Sequence, residues 1–274
     1  MRTTGYRFRV TGRSIVVYAC VCVLLLVLGI PLTIYLGVTR RVDAAYGFVR
    51  WWLRRLLRLA GVRVNIRGLE HVPDPPVLFM ANHQSMLEPV ILLTYLPHNV
   101  RVFPKKELFR IPIMGHLMRL AGFIPVDRQR PERARRDLTR ALEMFPHRIS
   151  FMIFPEGTRT RDGHLQPFKR GGFVLAIHAQ VPIVPISIWG AYEMLPKGEW
   201  RIRPGVVHVV IHPPVATRGL GIEDRFALAD RVRAIIASAL PERYQPRDRI
   251  PASSHPQSMQ SPYGVRSDGT VSGH

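Results

Sequence analysis

Val77-Leu78-Phe79-Met80-Ala81-Asn82-His83-Gln84-Ser85-Met86-Leu87-Glu88-Pro89 is the stretch from which the fold is read. Its first half is a short apolar run entered through Pro75-Pro76, and that length and flanking predict a buried strand. A histidine just past the end of such a strand sits where an open α/β sheet presents its chemistry. Glu88 follows His83 by five residues and can bond one imidazole nitrogen, leaving the other to take a proton. Taken alone, a histidine beside an acid is more often a helix cap or a surface pair.

Outward from this stretch the chain alternates strands and helices. Strands are predicted at Val62 to Ile66, Val100 to Pro104, Ile149 to Phe154, Val181 to Ile186 and Val206 to Ile211. Helices are predicted at Pro89 to Leu96, Ile113 to Ala121, Arg133 to Met144, up to Ala179, and Arg225 to Leu240. Pro182 and Pro185 argue that the Val181 to Ile186 strand lies at an edge or a bulge.

The 274 residues accommodate one domain of about 200 residues plus terminal segments. The formal charge of +20 points to polyanionic partners: lipid headgroups, acidic cofactors or nucleic acid. The cations are overwhelmingly arginine, with lysine only at Lys105, Lys106, Lys169 and Lys197, a bias that suits bidentate phosphate recognition and equally reflects coding bias. Cys20 and Cys22 are too close in sequence for an ordinary disulfide and lie in an apolar segment; no His or Cys cluster suggests a metal.

Residues 1–14 read as a basic, flexible head. Ile15 to Val38 carries no charge over 24 residues, and at 1.5 Å per residue it reaches roughly 36 Å, enough to cross a bilayer, with Gly29 and Pro31 as points of kinking. Tyr46 to Ala60 gathers Arg50, Arg54, Arg55 and Arg58 on one side of a helical wheel and apolar residues on the rest, the pattern of a helix lying in the membrane interface. Residues 15–60 are therefore read as a membrane anchor, residues 61–240 as the catalytic domain and residues 241–274 as a disordered tail.

A second block, Phe151-Met152-Ile153-Phe154-Pro155-Glu156-Gly157-Thr158-Arg159, gives the first its meaning. Together they resemble the glycerolipid acyltransferase family, specifically the 1-acylglycerol-3-phosphate (lysophosphatidate) acyltransferases. The resemblance runs from about Trp51 to Ala239. Lys105 to Arg128 is similar to the family's second block and Val181 to Ile186 to its fourth. Glu88 stands where that family usually has Asp.

The resemblance implies a glycerol-3-phosphate acyltransferase-like α/β fold with a mixed sheet flanked by helices, plus an N-terminal membrane-embedded helical segment. It also implies transfer of a fatty acyl group from acyl-CoA or acyl carrier protein to the sn-2 hydroxyl of lysophosphatidate at the cytoplasmic side of the cell membrane. No cofactor, metal or nucleic acid is expected. His83 is then the base and Glu88 its partner; Lys105 (or Lys106), Arg128, Gly157, Thr158 and Arg159 hold the glycerol phosphate, with Glu156 orienting an arginine or a glycerol hydroxyl. Rival readings are an acyltransferase for another lysophospholipid or lyso-aminolipid, a non-catalytic lipid-binding protein and a nucleic-acid binder.

Overall fold

The structure, a computed structural model, describes residues 2–126 and 139–247. Among these residues one sheet is formed by β1 (Val62–Arg67), β2 (Leu78–Ala81), β3 (Arg101–Val102), β4 (Phe151–Ile153), β5 (Ile183–Trp189) and β6 (Gly205–Ile211), in the order β1-β6-β5-β2-β4-β3. Only β5 and β6 pair antiparallel, so the sheet is mixed, as expected. Around it run α1 (Arg2–Val27), α2 (Gly29–Thr39), α3 (Val42–Leu59), α4 (Leu87–Tyr95), α5 (Met114–Leu120), α6 (Gly171–Ala179), α7 (Ala191–Met194) and α8 (Arg225–Ala239). Residues 139–144 are also helical; the rest of the helix expected from Arg133 lies outside the described residues.

β2 is covered on both faces because alternate side chains leave a strand on opposite sides. Phe79 and Ala81 join a cluster with Leu87, Ile91 and Leu92 of α4 and Leu57 of α3. Leu78 and Met80 join the opposite cluster, with Phe173 and Ile177 of α6 and Val232 and Ile236 of α8. All of β2 is buried, which is why its sequence is continuously apolar. β1, an edge strand, alternates instead, with Val62, Val64 and Ile66 inward and Arg63 and Arg67 exposed.

β5 corrects the expectation of an edge position, for it lies between β6 and β2. Pro185 is tolerated because it stands where the β6 ladder ends. The ladder opens with Ile186 against Ile211, and the Pro185 carbonyl accepts from His212 N–H at 3.0 Å. Only the return bond, which proline cannot donate, is missing.

Three features mark the N-terminal helices, of which the first and third depart from expectation and the second is the kink expected near Gly29 and Pro31. First, α1 starts at Arg2, so the basic head is helical, and its Val10–Ser14–Val17 face is buried. Ser14 Oγ donates to Val10 O and accepts from Ile202 N–H, both at 2.8 Å, while Tyr18 OH donates to Trp200 O. Second, the 15–38 span is broken at Leu28. Helical bonding continues through Leu28 N–H to Leu24 O and Leu32 N–H to Leu28 O, but Pro31 has no N–H for Val27 O. Among the described residues, the one helix long and apolar enough to cross a membrane by length and composition is Tyr6–Val27.

Third, α3 is docked on the domain. Tyr46 OH donates to Val100 O, and Arg50 donates to Leu93 O and His98 O, so Arg50 is turned inward rather than towards a headgroup layer. Phe48, Trp51 and Leu59 remain exposed on the other side with Arg55 and Arg58, while Arg54, also exposed, lies over the Tyr95 ring of α4.

Candidate active site

β2 and β4 are adjacent and parallel, with Leu78 opposite Phe151 and Met80 opposite Ile153. Their C-terminal ends therefore release two loops at the same edge of the sheet, one carrying Asn82 and His83, the other Glu156 to Arg159. Asn82 fixes the first loop to the neighbouring strand. Its side chain donates to Ile188 O at 2.7 Å and accepts from Ile188 N–H at 2.8 Å.

His83 is held from four directions. Its Nδ1 lies 2.8 Å from Glu88 Oε2, its backbone N–H donates to Glu156 Oε1 at 2.6 Å, and its carbonyl accepts from Thr160 N–H at 2.9 Å. Its ring stacks on Phe154 with centroids 4.0 Å apart. An Nδ1–H donated to the carboxylate places the basic lone pair at Nε2.

Glu88, in the first turn of α4, is fully buried and also accepts from Gln84 N–H, at 3.0 Å to Oε1 and 2.9 Å to Oε2. Burial pushes its carboxyl well above the usual range, while the backbone N–H groups and the Arg159 charge pull the other way. Ser85 is no nucleophile: its buried Oγ donates to Leu195 O at 2.8 Å and accepts from Leu87 N–H at 3.3 Å.

Both Glu156 carboxylate oxygens accept from N–H donors of the protein, and none of these bonds is to an arginine. The second oxygen accepts from Gln166 N–H at 3.2 Å and Gln166 Nε2 at 2.9 Å, so the side chain braces the His83 loop against the segment around 166. Burial raises its pKa to about 8, with backbone bonds from His83 and Gln166 opposing and the Glu88 charge adding. Gly157 also departs from expectation. At φ +74° its N–H turns back to Phe154 O at 3.0 Å rather than towards an anion. A Cβ there would lie 2.8 Å from Lys169 Cε, so the glycine makes room for the Lys169 side chain.

Thr158 and Arg159 line a cleft of about 350 Å³ with Thr160, Arg161, Asp162, Gln166 and Lys197. Arg159 is half-buried and its charge acts on Glu88, which places the cleft beside the His–Glu pair. Lys105 is exposed and close enough for its charge to act on Lys197. Lys106 instead enters the short 3₁₀ turn Lys106–Arg110, its N–H donating to Val126 O at 3.3 Å. Arg128 lies outside the described residues.

Gln166, Lys169, Arg161 and Lys197 were not anticipated as site residues. The scarcity of lysine was the one signal that could have drawn attention to Lys169 and Lys197. Among the described residues no group of three or more His, Cys, Asp or Glu side chains could hold a metal ion.

The chain belongs to the acyltransferase family, whose model matches residues 63–189, the span from β1 to the end of β5. Within it, the similarity is to 1-acyl-sn-glycerol-3-phosphate acyltransferases. The Pseudomonas aeruginosa enzyme of that name is 33% identical over 207 residues, 75% of this chain and 78% of its own length. The human alpha enzyme is 38% identical over 187 residues, 68% of this chain and 66% of its own length. The chain thus spans slightly less than two thirds of that human relative. The crystal structure of the 1-acyl-sn-glycerophosphate acyltransferase PlsC from Thermotoga maritima has a TM-score of 0.73 and 28% identity, covering 84% of this chain and 94% of that one.

Proposed function

We propose that the protein transfers a fatty acyl group from acyl-CoA or acyl carrier protein to the sn-2 hydroxyl of lysophosphatidate, giving phosphatidate for phospholipid synthesis. The observation that carries this reading is the buried His83–Glu88 contact of 2.8 Å beside a cleft lined by Arg159, Arg161 and Lys197. The activity named for the relatives supports it.

In this mechanism the lipid hydroxyl attacks the thioester carbonyl while His83 Nε2 takes its proton. Glu88 holds the tautomer and stabilises the imidazolium that forms, the role of the acid in a serine-protease triad. The tetrahedral intermediate collapses by breaking the C–S bond. The imidazolium proton passes to the departing thiolate, restoring neutral His83. No enzyme nucleophile and no cofactor take part. Arg159, Lys105 and Arg128 hold the acceptor phosphate, with Thr158 lining the cleft.

We assign the work to a membrane surface on the cytoplasmic side, with residues up to about 60 as the anchor and 61–240 as the acyltransferase domain. The exposed Val23, Leu26, Val27, Ile30 and Ile34 on α1 and α2 support this, as do Phe48, Trp51 and Leu59 on α3.

The test is acyl transfer by the detergent-solubilised protein with labelled acyl-CoA or acyl carrier protein and a panel of lysolipids. Phosphatidate formed by the wild type and lost in His83→Ala is the expected result. Product confined to another lysolipid would keep the mechanism and replace the acceptor; no product with either donor would sink the reading.

A further inference from the structure

The cleft holds a cation that the proposed mechanism leaves idle. Lys197 sits in the turn after α7, far in sequence from both site loops, yet its Nζ donates to Thr158 Oγ1 at 3.1 Å and to Arg159 O at 3.3 Å. The ammonium of this exposed side chain is thus held over the Thr158–Arg159 turn by two hydrogen bonds. It lies there among like charges. Desolvation, and then the charges of Arg161, Arg159 and Lys105, lower its pKa from the ordinary lysine value. Among the described residues none of these four cations forms an ion pair with a carboxylate. The acid in the lining, Asp162, is already engaged by Arg247 at 2.6 Å and Thr160 at 2.8 Å.

Two hydrogen bonds hold Lys197 beside Arg159, whose charge also acts on Glu88, and near Arg161 and Lys105, so that among the described residues cations outnumber carboxylates around the cleft. An excess of converging cations favours a compact, multiply charged anion. A terminal phosphate monoester carries nearly two negative charges near neutral pH and three acceptor oxygens, whereas a headgroup phosphodiester carries one charge.

We infer that Lys197 is a specificity-determining residue, which with Arg159, Arg161 and Lys105 selects an acceptor bearing a terminal phosphomonoester over one whose phosphate is esterified to a second headgroup. This rests on the proposed acyl transfer to lysophosphatidate and deepens it, by naming what in the cleft tells that lipid from other lysolipids.

The experiment compares wild type, Lys197→Gln and Lys197→Arg in detergent, each with lysophosphatidate and with lysophosphatidylethanolamine at matched chain length. Lys197→Gln should raise KM for lysophosphatidate roughly tenfold, the low end for losing a hydrogen bond to a charged group. Its kcat should change less than about twofold, as expected for a contact made equally in ground and transition states. The rate with lysophosphatidylethanolamine should not fall, and Lys197→Arg should restore most of the KM. Equal loss with both acceptors would make Lys197 a general support of the loop and overturn the assignment. An unchanged KM would overturn it too. Wild type that forms no phosphatidate defeats the parent reading as well, whereas phosphatidate formed equally by wild type and Lys197→Gln defeats the lysine's role alone.

Discussion

Glutamate at position 88 is one methylene longer than the aspartate usual in the resembling family, and the structure shows where that length goes. The side chain already reaches His83 Nδ1 at 2.8 Å while accepting from Gln84 N–H. Glu88→Asp withdraws the carboxylate by about 1.5 Å, a C–C bond, and so lowers kcat unless the loop follows. Glu88→Gln keeps the length but removes the charge, and should cost kcat on the order of 10³–10⁴, as neutralising a triad acid does. Single-turnover acyl transfer by the two variants separates reach from charge. The pair itself was legible in the sequence because His83, in the loop after β2, precedes Glu88, in the first turn of α4, by only five residues. The role of Glu156 was not, because its partners His83 and Gln166 meet it only once separate segments converge. Glu156 also carries a pH signature. Its folded pKa of about 8 stands above the ordinary 4.5, so its share of stability is intact below about pH 4.5 and lost as pH rises through 8. Melting temperature between pH 5 and 9 should therefore fall more steeply in wild type than in Glu156→Gln. Parallel curves would mean that the carboxylate is ionised throughout, held by its three N–H donors.

At the scale of elements, the strands and helices around the site followed from hydrophobic period and length, while the placement of β5 did not. Proline in an apolar run signals an edge, but Pro185 meets only the terminus of a partner strand, and strand order is a property of pairing rather than of the run itself. The head of α1 departs from its sequence pattern for a related reason. Arg2, Arg7, Arg9 and Arg13 suggested a solvated segment, yet they leave a stripe at Val10, Ser14 and Val17 that packs against the segment around Ile202. Ser14 is the polar member of that stripe, and its hydroxyl satisfies Ile202 N–H. Ser14→Ala leaves that buried donor without a partner and should cost about 1–3 kcal/mol, read by chemical denaturation in detergent. Ser14→Thr, which keeps the hydroxyl, should recover part of it. Equal stability of Ser14→Ala and wild type would mean that α1 does not dock on the domain.

For the whole molecule, the cleft lined by Arg159 and Lys197 depends on chain that is remote in sequence. Composition predicts a disordered tail over residues 241–274, of which residues 248–274 lie outside the described residues. Instead Tyr244 is buried, its carbonyl accepts Leu165 N–H at 3.0 Å, and Gln245 O lies 2.8 Å from His164 Nδ1. Its ring covers Gly163, where φ is +89° and a Cβ would come within 3.3 Å of the ring. Gly163 O in turn accepts from Gln84 Nε2 at 2.9 Å, so the C-terminal segment, the cleft loop and the residue after His83 form one packed chain of contacts. The Pro-rich and charged composition after Leu240 hid this, since a single buried aromatic gives no periodic signal. Tyr244→Ala should destabilise the protein by about 3–5 kcal/mol, the usual range for an emptied aromatic site. Tyr244→Phe loses only the bond to the half-exposed Glu193 and should cost about 1 kcal/mol or less. If the segment positions the cleft, Tyr244→Ala assayed well below its melting temperature should raise KM for the lysolipid more than it lowers kcat, while Tyr244→Phe leaves both near wild type. A Tyr244→Ala protein with unaltered KM would confine Tyr244 to packing and leave the cleft loop to hold its shape through Gln84 and Tyr192, whose hydroxyl donates to Arg161 O at 2.7 Å.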